Sequence, residues 1–422
     1  MKTLIAAAAA LSVLALGACA STNLSVSSPT TEQAASQRAG TPTVISMGDS
    51  FISGEGGRWN GSQYKGMGTT SNLAGDQTPT NRGLIYGDQF GVRQKTKESE
   101  WCHRSDVAVV TTVAAENDWK PINLACSGAT TQNVRSKAQI ESGELTKQLD
   151  QLTNQANSRS NNIKAILLSI GGNDLGFADV ITDCLQITAD HDCSGNGTFE
   201  KKLLPKRAQV LKAVEDSIID IYLRMDLAGY KRDEYKVMFQ GSPNIVAVGN
   251  DRIRSSEAAH FRSSPGVPLS DGTVSWAKAV VVPWMNQIYR EATNQARRFL
   301  IDNYRSPSYP APQLQFMDPE NAFDGHELSS KRTDFIDTTK SDRLPDAATA
   351  EWVVPLDPDY VVDALKKHSV RLQESFHPNA FGEQALGWCA TRALKLADHD
   401  VNCTGYANKP PDAITVTAAK AQ

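Results

Sequence analysis

The stretch Gly48-Asp49-Ser50-Phe51-Ile52-Ser53-Gly54-Glu55-Gly56 sets a serine among glycines directly after an apolar run, Thr43-Val44-Ile45-Ser46-Met47. A hydroxyl at the carboxyl end of a parallel strand lies where open α/β sheets place their ligands. Flanking glycines let the chain turn sharply and let a substrate approach. A helix beginning there aims its amino terminus at developing negative charge. Ser50 is thereby placed as a nucleophile, although a bare G-D-S also fits a capping serine in a tight turn. Two later turns carry hydrogen-bond donors. Asn123-Leu124-Ala125-Cys126-Ser127-Gly128-Ala129-Thr130 offers the Gly128 N–H without side-chain obstruction, or is simply a turn. Gly171-Gly172-Asn173-Asp174 offers the Asn173 amide as a neutral oxyanion donor, or as an Asx-turn residue. Near the other end, Glu374-Ser375-Phe376-His377-Pro378-Asn379 puts a histidine before a proline, biased to extended backbone, with Asn379 as the cap of a following helix. A loop histidine held in this way suits a general base. His326, in Phe323-Asp324-Gly325-His326, is its competitor, and most of the others (His103, His191, His260, His368 and His399) read as surface residues.

These residues need strands to bring them together. Short apolar runs at 43–47, 121–125, 165–170, 236–239 and 314–317 read as five strands, the first three ending at the turns just described. Helical patterns over 107–116, 145–156, 199–227, 276–304 and 379–397 alternate with them. This alternation predicts an α/β fold, a parallel sheet with helices on both faces in three layers. Residues 57–100, 255–275 and 324–350 break the pattern as long loop insertions, and a tail over 406–422 is expected to be loosely held. With no internal repeat and no second core, residues 41–405 form one domain.

The chain has 422 residues, with 43 Lys and Arg against 47 Asp and Glu, a net charge of −4. That balance argues against a general nucleic-acid binder. Residues 1–18 read as a signal peptide, with a lysine, a short apolar stretch and small residues. They end Leu16-Gly17-Ala18-Cys19, similar to a bacterial lipobox, which makes Cys19 the lipidation site. Cleavage after Ala18-Cys19-Ala20 is the other reading, and it discards the cysteine. Residues 19–40, rich in Ser, Thr, Ala and Gln, then form a flexible tether. The expected location is the cell envelope, as an outer-membrane lipoprotein anchored through its lipid; the alternative is a secreted or periplasmic protein. Six cysteines remain, an even count that suggests three disulfides in an exported chain. Pairing neighbours gives Cys102–Cys126, Cys184–Cys193 and Cys389–Cys403. The absence of C-x-x-C spacing makes a metal site a weak rival, and nothing calls for a nucleotide or a flavin.

Taken together and in this order, the four blocks resemble the SGNH (GDSL-type) hydrolase superfamily: G-D-S at 48–50, the glycine at 128, G-x-N-D at 171–174 and the His-Pro pair at 377–378. The longer matches, 123–130 and 374–379, are similar to the secreted actinobacterial esterase and lipase branch. The resemblance implies a flavodoxin-like five-stranded sheet and favours the 102–126 disulfide. It also implies a serine carboxylic-ester hydrolase without a cofactor. Ser50 would attack the ester, His377 would act as general base, and the Ser50 and Gly128 N–H groups with the Asn173 amide would bind the oxyanion. The superfamily usually has aspartate three residues before the histidine. Here Glu374 stands there, and either its carboxylate or its backbone carbonyl would orient His377. A polysaccharide O-acyltransferase would use the same nucleophile, and a noncatalytic glycan-binding lipoprotein is the reading from outside the enzyme class. Lipid, short acyl and acetylated-glycan esters all suit the chemistry. Arg58, Trp59, Asn60, Tyr64 and Trp101 either stack on sugars or anchor their loop.

Overall fold

A computed structural model describes residues 38–57, 63–64, 102–186, 193–253, 269–304, 310–334, 336–337, 346–354, 374–397 and 399–419. The signal peptide, Cys19, Arg58, Trp59, Asn60, Trp101, His191, His260 and His368 lie outside the described residues, as does the Tyr64 side chain.

The strands of the main sheet are β1 (Thr41–Gly48), β2 (Lys120–Asn123), β3 (Asn161–Ser169), β4 (Lys236–Gln240), β5 (Leu314–Asn321), β6 (Val401–Thr404) and β7 (Thr415–Ala418). They lie in the order β2-β1-β3-β4-β5-β6-β7. The first six run parallel, and β7 pairs antiparallel with β6. The order 2-1-3-4-5 among the first five is that of a doubly wound, flavodoxin-like sheet. Its chain reverses direction across the sheet beside β1, so the turns after β1, β2 and β3 share one edge.

Alternation along the strands divides the core in two. Ile45 and Met47 of β1, with Ile166 and Leu168 of β3, face a cluster completed by α3 (Thr131–Arg135), α4 (Gln148–Asn157), α7 (Arg207–Leu227) and α8 (Val282–Tyr304). Val44, Ala165 and Leu167 face the other way, onto α2 (Val109–Asn117) and α9 (Ala380–Leu394). Each fully buried aliphatic side chain contributes about 1.5–3 kcal/mol, so two such clusters hold the sheet from both faces. Three short helices serve mainly to position turns: α1 (Ser50–Ser53), α5 (Gly172–Leu175) and, after it, α6 (Phe177–Gln186). Among the described residues no helix is long and apolar enough to cross a membrane.

Three expectations are corrected. The sheet has seven strands rather than five. The two extra strands, Val401-Asn402-Cys403-Thr404 and Thr415-Val416-Thr417-Ala418, are short and half polar, so they carry no apolar run to announce them. The tail is accordingly not loose over its length, because 415–418 form the antiparallel edge of the sheet. The long helix expected over 199–227 starts as an α-helix only at Arg207, after a π-turn at Phe199–Leu203 and a 3-10 turn at Leu204–Lys206. Pro205 lies in that irregular lead-in, where its missing N–H is tolerated. Three disulfides, Cys102–Cys126, Cys184–Cys193 and Cys389–Cys403, tie loops and elements across the body.

The exit of β1 is tightly specified. Gly48 has φ 125, and a Cβ added there would lie 1.8 Å from the Ser169 carbonyl oxygen. The Gln148 side chain brackets the same peptide, accepting the Gly48 N–H at 2.7 Å and donating to its carbonyl at 2.8 Å. Gly48→Ala is therefore expected to lower the unfolding free energy by at least about 2 kcal/mol, read as an earlier urea midpoint at an unchanged slope.

Candidate active site

Ser50 opens α1 immediately beyond β1, and Asp49 caps that helix by accepting the Phe51 N–H at 3.1 Å. Asn123 braces the turn: its side chain accepts from Ser46 Oγ at 3.0 Å and donates to the Ser53 carbonyl at 2.9 Å. Gln240, at the end of β4, donates to the Phe51 carbonyl at 2.9 Å. The Ser50 turn is thus fastened to the ends of the neighbouring strands.

His377 arrives from more than three hundred residues away. Its backbone is laced to the segment 352–354, with the Val354 N–H on the His377 carbonyl at 2.8 Å and the Asn379 N–H on the Trp352 carbonyl at 2.9 Å. Asn379 caps α9, accepting the N–H groups of Phe381 and Gly382. The imidazole Nε2 lies 2.8 Å from Ser50 Oγ, and the ring packs against Phe51 with centroids 4.9 Å apart.

The other ring nitrogen corrects the expectation for Glu374. Nδ1 lies 3.2 Å from the Ser375 carbonyl oxygen. The reason is a turn: the His377 N–H donates to the Glu374 carbonyl at 3.1 Å, and Phe376 adopts φ 66. The Glu374 carbonyl is thereby used within the turn, and the Ser375 carbonyl takes the place at the ring. Glu374 itself is fully buried. A carbonyl oxygen only accepts, so Nδ1 carries the ring proton, and Nε2 presents its lone pair to the Ser50 hydroxyl.

The donor turns sit at the same sheet edge. Gly128, after β2, has φ 75, a conformation that L side chains rarely adopt. Among the described residues, neither the Ser50 nor the Gly128 N–H makes a hydrogen bond. Asn173, in α5 after β3, donates from its amide to the Ala129 carbonyl at 2.9 Å, and Asp174 accepts from Thr131 Oγ1 at 2.6 Å. Those bonds tie the 171–174 turn to the 128–131 turn.

The behaviour of two acidic residues beside the serine escaped the sequence reading. Burial pushes the Asp49 carboxyl from its ordinary 3.8 up to about 8; the Phe51 N–H opposes the shift, and the charges of Asp174 and Glu55 reinforce it. Glu55 is just as buried, yet it stays below the usual carboxylate range. Burial alone would raise it, but His377, His103 and a hydrogen bond from Ser127 outweigh that. Its Oε1 accepts from His103 Nδ1 at 2.9 Å and its Oε2 from Ser127 Oγ at 2.5 Å. The same Oε2 stands 3.8 Å from His377 Nε2. His103, expected at the surface, is buried at 2% exposure because this carboxylate takes it inside.

Neither ring nitrogen of His326 is directed at Ser50. His326 is fully buried, stacked on Trp352 at 3.8 Å between centroids, with its two nitrogens facing the Ala350 and Tyr406 carbonyls. Burial holds its pKa below the ordinary histidine value. The Cys102, Cys126 and Glu144 side chains gather closely enough to hold a metal, but both sulfurs are in a disulfide, and Glu144 pairs with Arg104 at 2.8 Å.

No protein-family model matches the chain, and no curated protein matches it. Solved structures with a similar outline include an extracellular lipase from Streptomyces rimosus, 17% identical over 83% of this chain and 98% of that one, with a TM-score of 0.43. A phospholipase A1 from Streptomyces albidoflavus is 17% identical over 85% and 100%, also with a TM-score of 0.43. A family two carbohydrate esterase from Clostridium thermocellum is 9% identical over 85% and 64%, with a TM-score of 0.37.

Asp49 makes stability depend on pH. Its carboxyl releases a proton near 3.8 when unfolded and near 8 when folded. Between those values the folded state binds more protons, so stability is full below the window and falls as pH rises through it. Asp49→Asn keeps the acceptor for Phe51 and removes the titration. Relative to this variant, the parent is expected to lose stability steadily from pH 4 to pH 8, as urea midpoints measured across that range will show.

Proposed function

We propose that the protein is a serine hydrolase of carboxylic esters. The observation that carries this reading is the 2.8 Å contact between His377 Nε2 and Ser50 Oγ, with the opposite nitrogen fixed in its protonated form by the Ser375 carbonyl. Nε2 takes the Ser50 proton as Oγ bonds to the ester carbonyl carbon. The carbonyl π electrons move onto oxygen, and the Ser50 and Gly128 N–H groups with the Asn173 amide receive that oxyanion. Collapse expels the alcohol oxygen, which takes the proton from Nε2 and leaves an acyl-Ser50 ester. Water then gives a proton to Nε2 and adds to the acyl carbon. A second collapse returns the proton to Oγ and frees the carboxylic acid. Apart from the ester and the water, every group in this cycle is a side chain or an amide of the protein.

The three disulfides support an oxidising, exported location. A lipid on Cys19 would hold the catalytic body near a membrane by a tether; globomycin-sensitive processing and a mass shift on that cysteine test this part.

A fluorophosphonate probe tests the central reading. Ser50 is expected to be the labelled residue, with hydrolysis of p-nitrophenyl acetate falling by about 10⁴-fold or more in Ser50→Ala and in His377→Ala. Labelling that survives Ser50→Ala unchanged overturns the proposal. Glu374→Gln is expected to stay within about tenfold of the parent, because the group at Nδ1 is a main-chain carbonyl. A loss as deep as that of His377→Ala would show instead that its carboxylate acts on the imidazole.

A further inference from the structure

Among the described residues, no charged group meets Nδ1 of the imidazole beside Ser50. The Ser375 carbonyl fixes the tautomer, but it is a neutral dipole. When Nε2 takes the serine proton, the ring becomes a cation inside a largely buried pocket. A cation placed there needs a counter-charge or a strong local dipole.

The neighbouring anion lies on the other side of the ring. We propose that Glu55 is a positioning residue that supplies this counter-charge from the Nε2 side, taking the electrostatic part that an aspartate at Nδ1 would otherwise play. The inference rests on the serine-hydrolase reading of the same site. Its geometric basis is the 3.8 Å approach of Glu55 Oε2 to His377 Nε2, in a place where the carboxylate is 1% exposed. At that distance a hydrogen bond is not formed, so Glu55 leaves Nε2 free to exchange its proton with Ser50 and the leaving group. The charge still acts through the low-dielectric gap.

The carboxylate is held where it can do this. Four groups bear on it: His103 from the loop before α2, Ser127 from the turn before Gly128, His377 from the loop before α9, and the Asp49 carboxyl from the end of β1. His103 and Ser127 each directly follow a cysteine of the 102–126 disulfide, so one covalent link fixes both of its hydrogen-bonding partners. The Ser127 N–H also donates to the Cys102 carbonyl at 3.0 Å. His103 and His377 face the same carboxylate, His103 in hydrogen-bond contact with Oε1 and His377 3.8 Å from Oε2, and on this proposal they compete for its one charge.

That competition gives two variants with opposite expected signs. Glu55→Gln keeps the size and one acceptor oxygen but removes the charge. The ring resonances of His377, followed by NMR, are then expected to titrate at least about one pH unit lower than in the parent. The acid limb of kcat/KM moves the same way, and its plateau drops about tenfold or more. His103→Asn removes the competitor. Its φ of 48 is a conformation that asparagine tolerates, so the loop keeps its path. In this variant the His377 titration and the acid limb are expected at higher pH than in the parent. A merely structural role for Glu55 would lower activity in both variants without moving either titration in opposite directions. If the His377 titration is the same in the parent and in both variants, the proposal is overturned. The NMR readout needs no turnover, so it tests Glu55 even if the protein does not hydrolyse esters. Absence of Ser50 labelling in the parent would overturn the hydrolase reading separately.

Discussion

A single hydrogen bond between a hydroxyl at the start of the body and an imidazole near its end sets the demands on the rest of the fold. Ser50 and His377 are 327 residues apart and meet at 2.8 Å. Loop closure over that span costs entropy, and only a rigid frame on both sides keeps the pair together. On one side the frame is the end of β1, clamped by Gln148, Asn123 and Gln240. On the other it is the 374–379 turn, laced to residues 352–354 and capped onto α9. The parallel sheet matters because its topology puts the first frame, the Gly128 turn and the Asn173 turn along one rim.

The polar groups around that bond are arranged by burial as much as by attraction. Asp49 and Glu55 are both buried acids within the same short stretch, and they behave in opposite ways. Asp49 accepts one main-chain N–H and has two other acids for company, so desolvation wins and keeps its proton on. Glu55 has two imidazoles and a hydroxyl around it, so attraction wins and it stays ionised. One acid is effectively silenced beside Ser50, and the other is kept charged beside His377. Two full negative charges so close together would repel, and this division avoids it.

Much of this arrangement was legible in the sequence because glycine, asparagine and proline punctuate it. The turns at 48–50, 128 and 171–174 are marked by residues with special backbone needs, and the apolar runs before them mark strands. The Asn379 cap and the pairing of neighbouring cysteines were legible for similar local reasons. What could not be read was which main-chain carbonyl meets the His377 ring. The Ser375 carbonyl at Nδ1 leaves no trace in residue identity, and a glutamate three residues before the histidine drew attention to the wrong group. Glu55 stood in plain view after Ser50, but its partners His103 and Ser127 come together only through the fold. The strands β6 and β7 were missed because each is only four residues long and half polar.

The bridge between Cys102 and Cys126 joins the segments that continue into His103 and into Ser127 and Gly128. The two segments whose side chains hold Glu55 are therefore joined by chemistry that a reducing compartment withholds. With these two cysteines reduced, the His103 and Ser127 segments would be held to each other by hydrogen bonds alone, among them that of the Ser127 N–H to the Cys102 carbonyl.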